Sequence, residues 1–172
     1  MATSLVLTVC AHDRPGVMKV ISNTVEQYGG NWLESRMARL GGQFAGIIRV
    51  ETSEDKLELL SEGLKSLTEE GISVQIHGQG DLSDYPYTRC LRIDIFGNDR
   101  PGIVSQLTQA ISEVGANIEE LNTTIESAAM AGHPIFRASG SVCVPNDTDE
   151  QVLIDAVEDL SDDLNVQIGV VA

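Results

Sequence analysis

Two identical tetrapeptides are the residues best suited to bind a small charged molecule. Asp13–Gly16 and Asp99–Gly102 both read Asp-Arg-Pro-Gly and lie 86 positions apart. A helix that starts here would present free backbone N–H groups to a carboxylate, and glycine would let a ligand approach the backbone. The aspartate could hold an ammonium group, because opposite charges attract. The sequence therefore predicts a site for both ends of a free amino acid at each tetrapeptide.

The offset of 86 also carries Asn31 onto Asn117, at the expected start of a strand in each copy. An asparagine amide offers both a hydrogen-bond donor and an acceptor, so these side chains join the predicted site. We expect a ligand to lie at the tetrapeptide loops and close to these asparagines. The predicted ligand-binding residues are Asp13, Gly16, Val17, Asn31, Asp99, Gly102, Ile103 and Asn117.

The same tetrapeptides also suit the start of a helix without any ligand. Aspartate is a good helix N-cap, proline fits the first turn, and glycine permits a tight turn. A role in starting the helix would then explain the motif without a ligand. We interpret Arg14 and Arg100 as surface charges, and His12 and His77 as strand-end residues without a catalytic role. His133 lies in a long loop, and it is the one histidine that this structural interpretation does not cover.

The hydrophobic pattern changes period on either side of each tetrapeptide. Leu5, Leu7 and Val9 alternate before the first copy, as a half-buried strand does. Apolar residues then recur at helical spacing from Val17 to Tyr28, which indicates an amphipathic helix. Two strands joined at Gly41-Gly42, a leucine stripe from Leu57 to Leu67 and a last strand from Ile72 follow. The order is βαββαβ, the ferredoxin-like arrangement.

The second copy repeats this order with a longer hairpin, so the fold class is α+β. We predict two tandem ferredoxin-like βαββαβ domains, with antiparallel sheets and helices on one face, at residues 1–78 and 88–172. Residues 79–87 have the composition of a linker. The face of each sheet away from its helices, carrying Val6, Cys10 and Phe96, would stay open. Open faces and edges tend to pair, so we expect a homodimer.

The charge of the chain excludes some partners. Its net charge is −15, and the second half carries 14 acidic but only 4 basic residues. Such a surface is unsuited to phosphates, which argues against direct nucleic-acid binding and against an anionic membrane surface. The acidic residues either keep the protein soluble or form a docking face for a basic protein.

Motifs for catalysis, metals and export are missing from the sequence. Cys10, Cys90 and Cys143 are widely spaced, which suggests neither a disulfide framework nor a zinc site. We therefore expect reduced thiols, no cofactor and a cytoplasmic protein. The sequence has no P-loop, nucleophile elbow, calcium loop, signal peptide or membrane span. We therefore predict a protein that is not an enzyme.

The repeated order of strand, Asp-Arg-Pro-Gly, helix, Gly-Gly or Gly-Ala, Asn and strand resembles the ACT domain, an amino-acid-sensing module. Two such domains, with Gly132–Phe136 opening the third strand of the second copy, resemble the glycine cleavage system transcriptional repressor family. The resemblance implies repression through contact with an activator protein, with glycine or serine as the ligand. Some amino-acid-binding ACT domains have Asn where Asp13 and Asp99 stand.

Two other interpretations remain open. The chain could be a regulatory ACT subunit that controls a metabolic enzyme; formyltetrahydrofolate deformylases open with a similar domain, but a catalytic domain would follow it. It could also be a structural dimerisation module that has lost its ligand. Binding measurements with free amino acids separate sensing from pure dimerisation, and a partner pull-down separates the two regulatory interpretations.

Overall fold

The internal repeat folds as two units of the same design. In a computed structural model, the structure describes residues 1–78, 87, 89–127, 130, 132–160 and 164–170. The chain divides into Met1–Leu82 and Ser83–Ala172. Each unit has one four-stranded antiparallel sheet and two α-helices, which confirms the tandem α+β fold. The domain boundaries at residues 78 and 88 stay predictions, because the linker falls largely outside the described residues.

The first unit follows the order that its hydrophobic periods predict. Its strands pair in the order β2-β3-β1-β4, so the first strand lies inside the sheet. Two short 3-10 turns, Glu54–Lys56 and Leu67–Glu70, flank the second helix. The elements are β1 Ala2–His12, α1 Val17–Gln27, β2 Asn31–Leu40, β3 Gln43–Ser53, α2 Leu57–Ser66 and β4 Ile72–His77.

The second unit repeats this topology with the strand order β6-β7-β5-β8. The longer hairpin loop expected in this copy, at residues 127–134, falls partly outside the described residues, at 128, 129 and 131. The elements are β5 Arg89–Asn98, α3 Ile103–Glu113, β6 Asn117–Ser127, β7 Pro134–Val144, α4 Glu150–Glu158 and β8 Leu164–Val170.

Each unit has its own aliphatic core between the sheet and its helices. In the first unit Leu7 and Ile48 of the sheet pack with Ile21 of α1, all fully buried. In the second unit Ile93 and Leu107 are fully buried in the corresponding core. Burying such a side chain contributes about 1.5–3 kcal/mol, so the core holds each helix start against one end of its sheet.

The face of each sheet away from the helices differs between the units. Val6 and Cys10 lie on this face in the first unit, because they pair with Arg49 and Ala45 rather than with core residues. In the second unit the guanidinium of Arg137 lies 5.8 Å from the centre of the Phe96 ring. The named groups on the first face are thus mostly small and apolar, whereas on the second face a charged group lies over an aromatic ring.

Glycines in the third strand of each unit let two strands approach closely. A Cβ built at Gly140 would overlap the backbone carbonyl oxygen of Glu120, and one at Gly46 would overlap that of Arg36. Neither carbonyl is the end of a flexible side chain, so a larger residue must push β6 or β2 away from its neighbour. Glycine here serves close backbone packing.

We expect Gly140→Ala to lower the free energy of unfolding of the second unit by about 1–3 kcal/mol, the usual cost of overpacking. Gly169→Ala is the matched control, since a Cβ there meets no heavy atom within 4 Å. Equilibrium denaturant unfolding measures both changes. Equal stability of the two variants would contradict the packing role of Gly140.

Candidate functional site

Both tetrapeptides lead into a helix that begins at a glycine. Gly16 and Gly102 precede α1 and α3 with φ of 92° and 89°, a left-handed conformation that favours glycine. No side chain caps either helix start. Capping by Asp13 or Asp99 is therefore ruled out as the explanation of the motif. The first-turn N–H groups, which have no acceptor within the helix, remain able to bind an anion.

The second unit has a cleft at this helix start, with a volume of about 380 Å³. It lies between the first turn of α3 and the end of β6. Three predicted site residues, Asp99, Gly102 and Ile103, line it. Arg100, which we expected to be a surface charge, also lines the cleft. The other lining residues are Val104, Ser105, Thr123, Thr124, Ile125 and Phe136.

The cleft combines charge complementarity with apolar walls. The positive end of the α3 dipole lies near the carboxylate of Asp99, so one cleft offers a place for an anion and a place for a cation. Ile125 pairs across the ladder with Phe136, and both line the same cleft. Ile125 is 64% exposed, which leaves apolar surface available to a ligand. The arrangement suits a small zwitterion.

The corresponding place in the first unit has a different chemistry. Arg39 pairs with Phe44 across the ladder, as Ile125 pairs with Phe136, so arginine replaces isoleucine there. Nε of Arg39 lies 3.6 Å from Oδ2 of Asp13. Arg39 is 70% exposed, so this ion pair contributes little to stability, at most about 1 kcal/mol. It nevertheless competes with a ligand ammonium for Asp13.

Arg14 and the strand-end histidines have structural partners. The guanidinium of Arg14 donates to the backbone oxygen of Glu70 at 2.6 Å, which ties the tetrapeptide loop to the end of the second helical segment. Nε2 of Gln43 donates to Nδ1 of His12 at 3.0 Å, and His77 shares a hydrogen bond with Thr8. These contacts fit the structural interpretation of His12 and His77.

The structure does not bring the predicted asparagines to the tetrapeptide of the same unit. Asn117 pairs with Cys143, and Cys143 pairs with Cys90 near the start of β5. Asp99 follows the other end of β5, nine residues later and about 30 Å away at the rise of a strand. In the first unit Asn31 lies at the level of Ser4 for the same reason.

The prediction of three reduced thiols is wrong for two of the cysteines. Cys90 and Cys143 form a disulfide, with Cα atoms 3.9 Å apart, whereas Cys10 is free and exposed. The two half-cystines are 53 residues apart in the sequence, but antiparallel pairing of β5 with β7 places them directly opposite each other. Sequence spacing could not reveal this contact.

Comparisons with known proteins agree with the duplicated fold. The ACT domain family matches residues 3–77 and 89–132. A structure described as an unknown protein from Galdieria sulphuraria is 29% identical, with a TM-score of 0.88 and 100% of both chains covered. A candidate glycine cleavage system transcriptional repressor is 17% identical, with a TM-score of 0.73, and the match covers 99% of this chain and 98% of that one. No curated protein sequence matches this chain significantly.

The duplicated βαββαβ fold is that of a tandem regulatory-domain protein. The chain belongs to the ACT domain family, whose match extends over more than half of its length. Proteins of this family typically bind small amino acids and act in regulation. Among the described residues, no helix is both long and apolar enough to cross a membrane.

Proposed function

We propose that this protein is a non-catalytic amino-acid sensor, and that it represses the glycine cleavage system in the cytoplasm through contact with a transcriptional activator. The observation that carries the sensing function is the cleft that joins Asp99 to the uncapped start of α3. The likeness in fold, over the whole chain, to a candidate glycine cleavage repressor supports the regulatory part.

The proposed ligand is a small amino acid such as glycine or serine. Its carboxylate lies at the N–H groups of the first turn of α3, and its ammonium lies at Asp99. Hydroxyls of Ser105 and Thr123 in the same cleft suit a polar ligand end, while Ile125 shields it on the apolar side. This function requires binding of the amino acid but no cleavage of its covalent bonds.

The second unit is the stronger of the two proposed sites. Asp13 already has Arg39 beside it. The ammonium of a ligand must therefore displace the guanidinium of Arg39 or share the carboxylate of Asp13 with it. The second unit has isoleucine at the equivalent position, Ile125. We therefore assign the first binding event to the cleft of the second unit.

A site that uses both the tetrapeptide and an asparagine must draw on two domains. Asp99 and Asn117 lie at opposite ends of one sheet, so neither unit can supply both to one small ligand. A homodimer that places Asn117 of one chain against the tetrapeptide of another would complete the site. The ligand would then stabilise the dimer, since it binds only the assembled site.

The acidic surface supports an indirect effect on transcription. The net charge of −15 opposes contact with DNA phosphates, whereas a DNA-bound activator presents basic surface. Attraction between such surfaces speeds association and weakens with salt. Ligand binding would change this contact by altering the assembly of the domains.

We expect Asp99→Ala to weaken amino-acid binding roughly tenfold to hundredfold, because a hydrogen bond to a charged ligand group is lost. Asp13→Ala, at the equivalent position of the first unit, is the matched control and should weaken the first binding event much less. Titration calorimetry over glycine, serine and larger amino acids measures both. Unchanged affinity in Asp99→Ala would place the ligand elsewhere.

Mixing two single variants tests the shared site. Asp99→Ala and Asn117→Ala should each bind weakly alone. A mixture in which chains exchange should regain tight sites, because some dimers combine an unaltered tetrapeptide with an unaltered asparagine of the other chain. If calorimetry of the mixture matches the sum of the separate variants, the site is not shared between chains in this way.

The proposed repression through an activator can be tested by a gel-shift series on promoter DNA of the glycine cleavage operon. The protein alone should leave the DNA unshifted even at low salt, since its surface is acidic. It should alter the shift made by the activator, and glycine should change that effect. A saturable shift by the isolated protein would contradict action through a protein partner.

A further inference from the structure

The second unit carries a cluster of three potential metal ligands far from its cleft. Cys90 and Cys143 lie opposite each other on β5 and β7, and Glu119 lies beside them on β6. One donor atom from each of these residues lies within 4.8 Å of the others. Cys143 is fully buried, Cys90 is half-buried and Glu119 is exposed, so the cluster is reached from the side of the carboxylate.

A bulge in the edge strand accounts for the position of Glu119. Ile118 pairs with Val142 and Glu120 pairs with Ser141, so Glu119 is the extra residue between consecutive rungs of the ladder. Bulges redirect a side chain from the regular alternation of a strand. β6 is the edge strand next to β7, which brings this carboxylate to the end of the sheet that holds the two sulfurs.

The first unit shows that the fold does not require these ligands. Its ladder pairs Ser4 with Glu51 at the rung that corresponds to Cys90 and Cys143. The same bulge occurs between Trp32 and Glu34, but the extra residue is Leu33. Two sulfurs and a carboxylate at this place are therefore a property of the second unit alone within the described repeat.

We propose that the reduced pair Cys90 and Cys143, together with Glu119, binds a zinc ion. Two thiolates and a carboxylate are donors that Zn²⁺ accepts in tetrahedral sites, and water can complete the fourth position. Thiolates favour zinc over the hard cations Mg²⁺ and Ca²⁺. The disulfide is then the metal-free, oxidised form of the same site.

A dithiol reductant converts the oxidised, metal-free form into the form that binds zinc. A dithiol supplies two electrons and two protons, the Sγ–Sγ bond of Cys90 and Cys143 breaks to give two thiols, and the dithiol becomes a disulfide. Zinc then binds the two sulfurs and displaces the two thiol protons. Oxidation of the thiolates by a disulfide compound reverses the exchange and releases the metal.

The charges around the cluster favour a cation on balance. Arg92 lies on the same face, two rungs from the sulfurs, and opposes a cation. Glu120, across the same rung from Ser141, offsets that charge. The half of the chain that contains the cluster has 14 acidic and 4 basic residues, which raises the local concentration of divalent ions.

The test uses the full chain with Cys10→Ser, which removes the other thiol and leaves the cluster intact. After reduction by a dithiol and removal of excess reductant, the protein should bind one zinc ion per chain in a chelator competition assay. Cobalt in place of zinc should give sulfur-to-metal charge-transfer absorption and the visible bands of a tetrahedral site. The same protein in its oxidised form should show neither.

Variants assign the ligands. Glu119→Gln should weaken zinc binding by about tenfold or more, since an anionic ligand is lost. The control Glu126→Gln, exposed at the other end of β6, should change it little. Cys90→Ser should abolish the sulfur-to-cobalt absorption. Zinc binding that is equal in oxidised and reduced protein would overturn the proposal, as would a reduced protein that binds no zinc. Both comparisons use the same chain, so misfolding of a variant does not decide the result.

Discussion

Antiparallel pairing of the first strand of each unit is the interaction on which the rest of the structure depends. β1 and β5 lie inside their sheets, each hydrogen-bonded to two neighbours, and one face of each is buried against two helices. The tetrapeptide follows directly, so burial of the strand and of the helix stripe fixes the place where the helix begins. Its open N–H groups then lie at a defined end of the sheet.

Duplication has kept the scaffold and altered the chemistry at its ends. Arg39 beside Asp13 and Ile125 in the cleft of Asp99 occupy equivalent positions, but the first is charged and the second exposes apolar surface. Ser4 and Cys90 are another such pair. The differences lie at strand ends and edges, where a substitution costs little packing energy.

The two candidate sites of the second unit are separated by the length of β5. The cleft lies where that strand ends, at Asp99, and the Cys90–Cys143 disulfide lies where it starts. About 30 Å of hydrogen-bonded strand lies between them, so neither site contacts the other directly. Within one chain, binding at one site could influence the other through the packing and stability of the unit that they share. In the proposed homodimer, Asn117 pairs with Cys143 and completes the cleft of the other chain, so the disulfide of one chain would lie near the cleft of the other.

The sequence by itself determined the duplication, the βαββαβ order and the end of the first helix in each copy, because these depend on local periods and on single residues such as Gly29 and Gly115, which have φ of 77° and 74°. Only the tertiary structure decided which distant residues meet. Strand register placed Cys143 against Cys90, brought Ile125 and Phe136 to the cleft, and separated Asn117 from Asp99. Register is set by packing across the whole sheet, so sequence spacing does not encode these contacts locally.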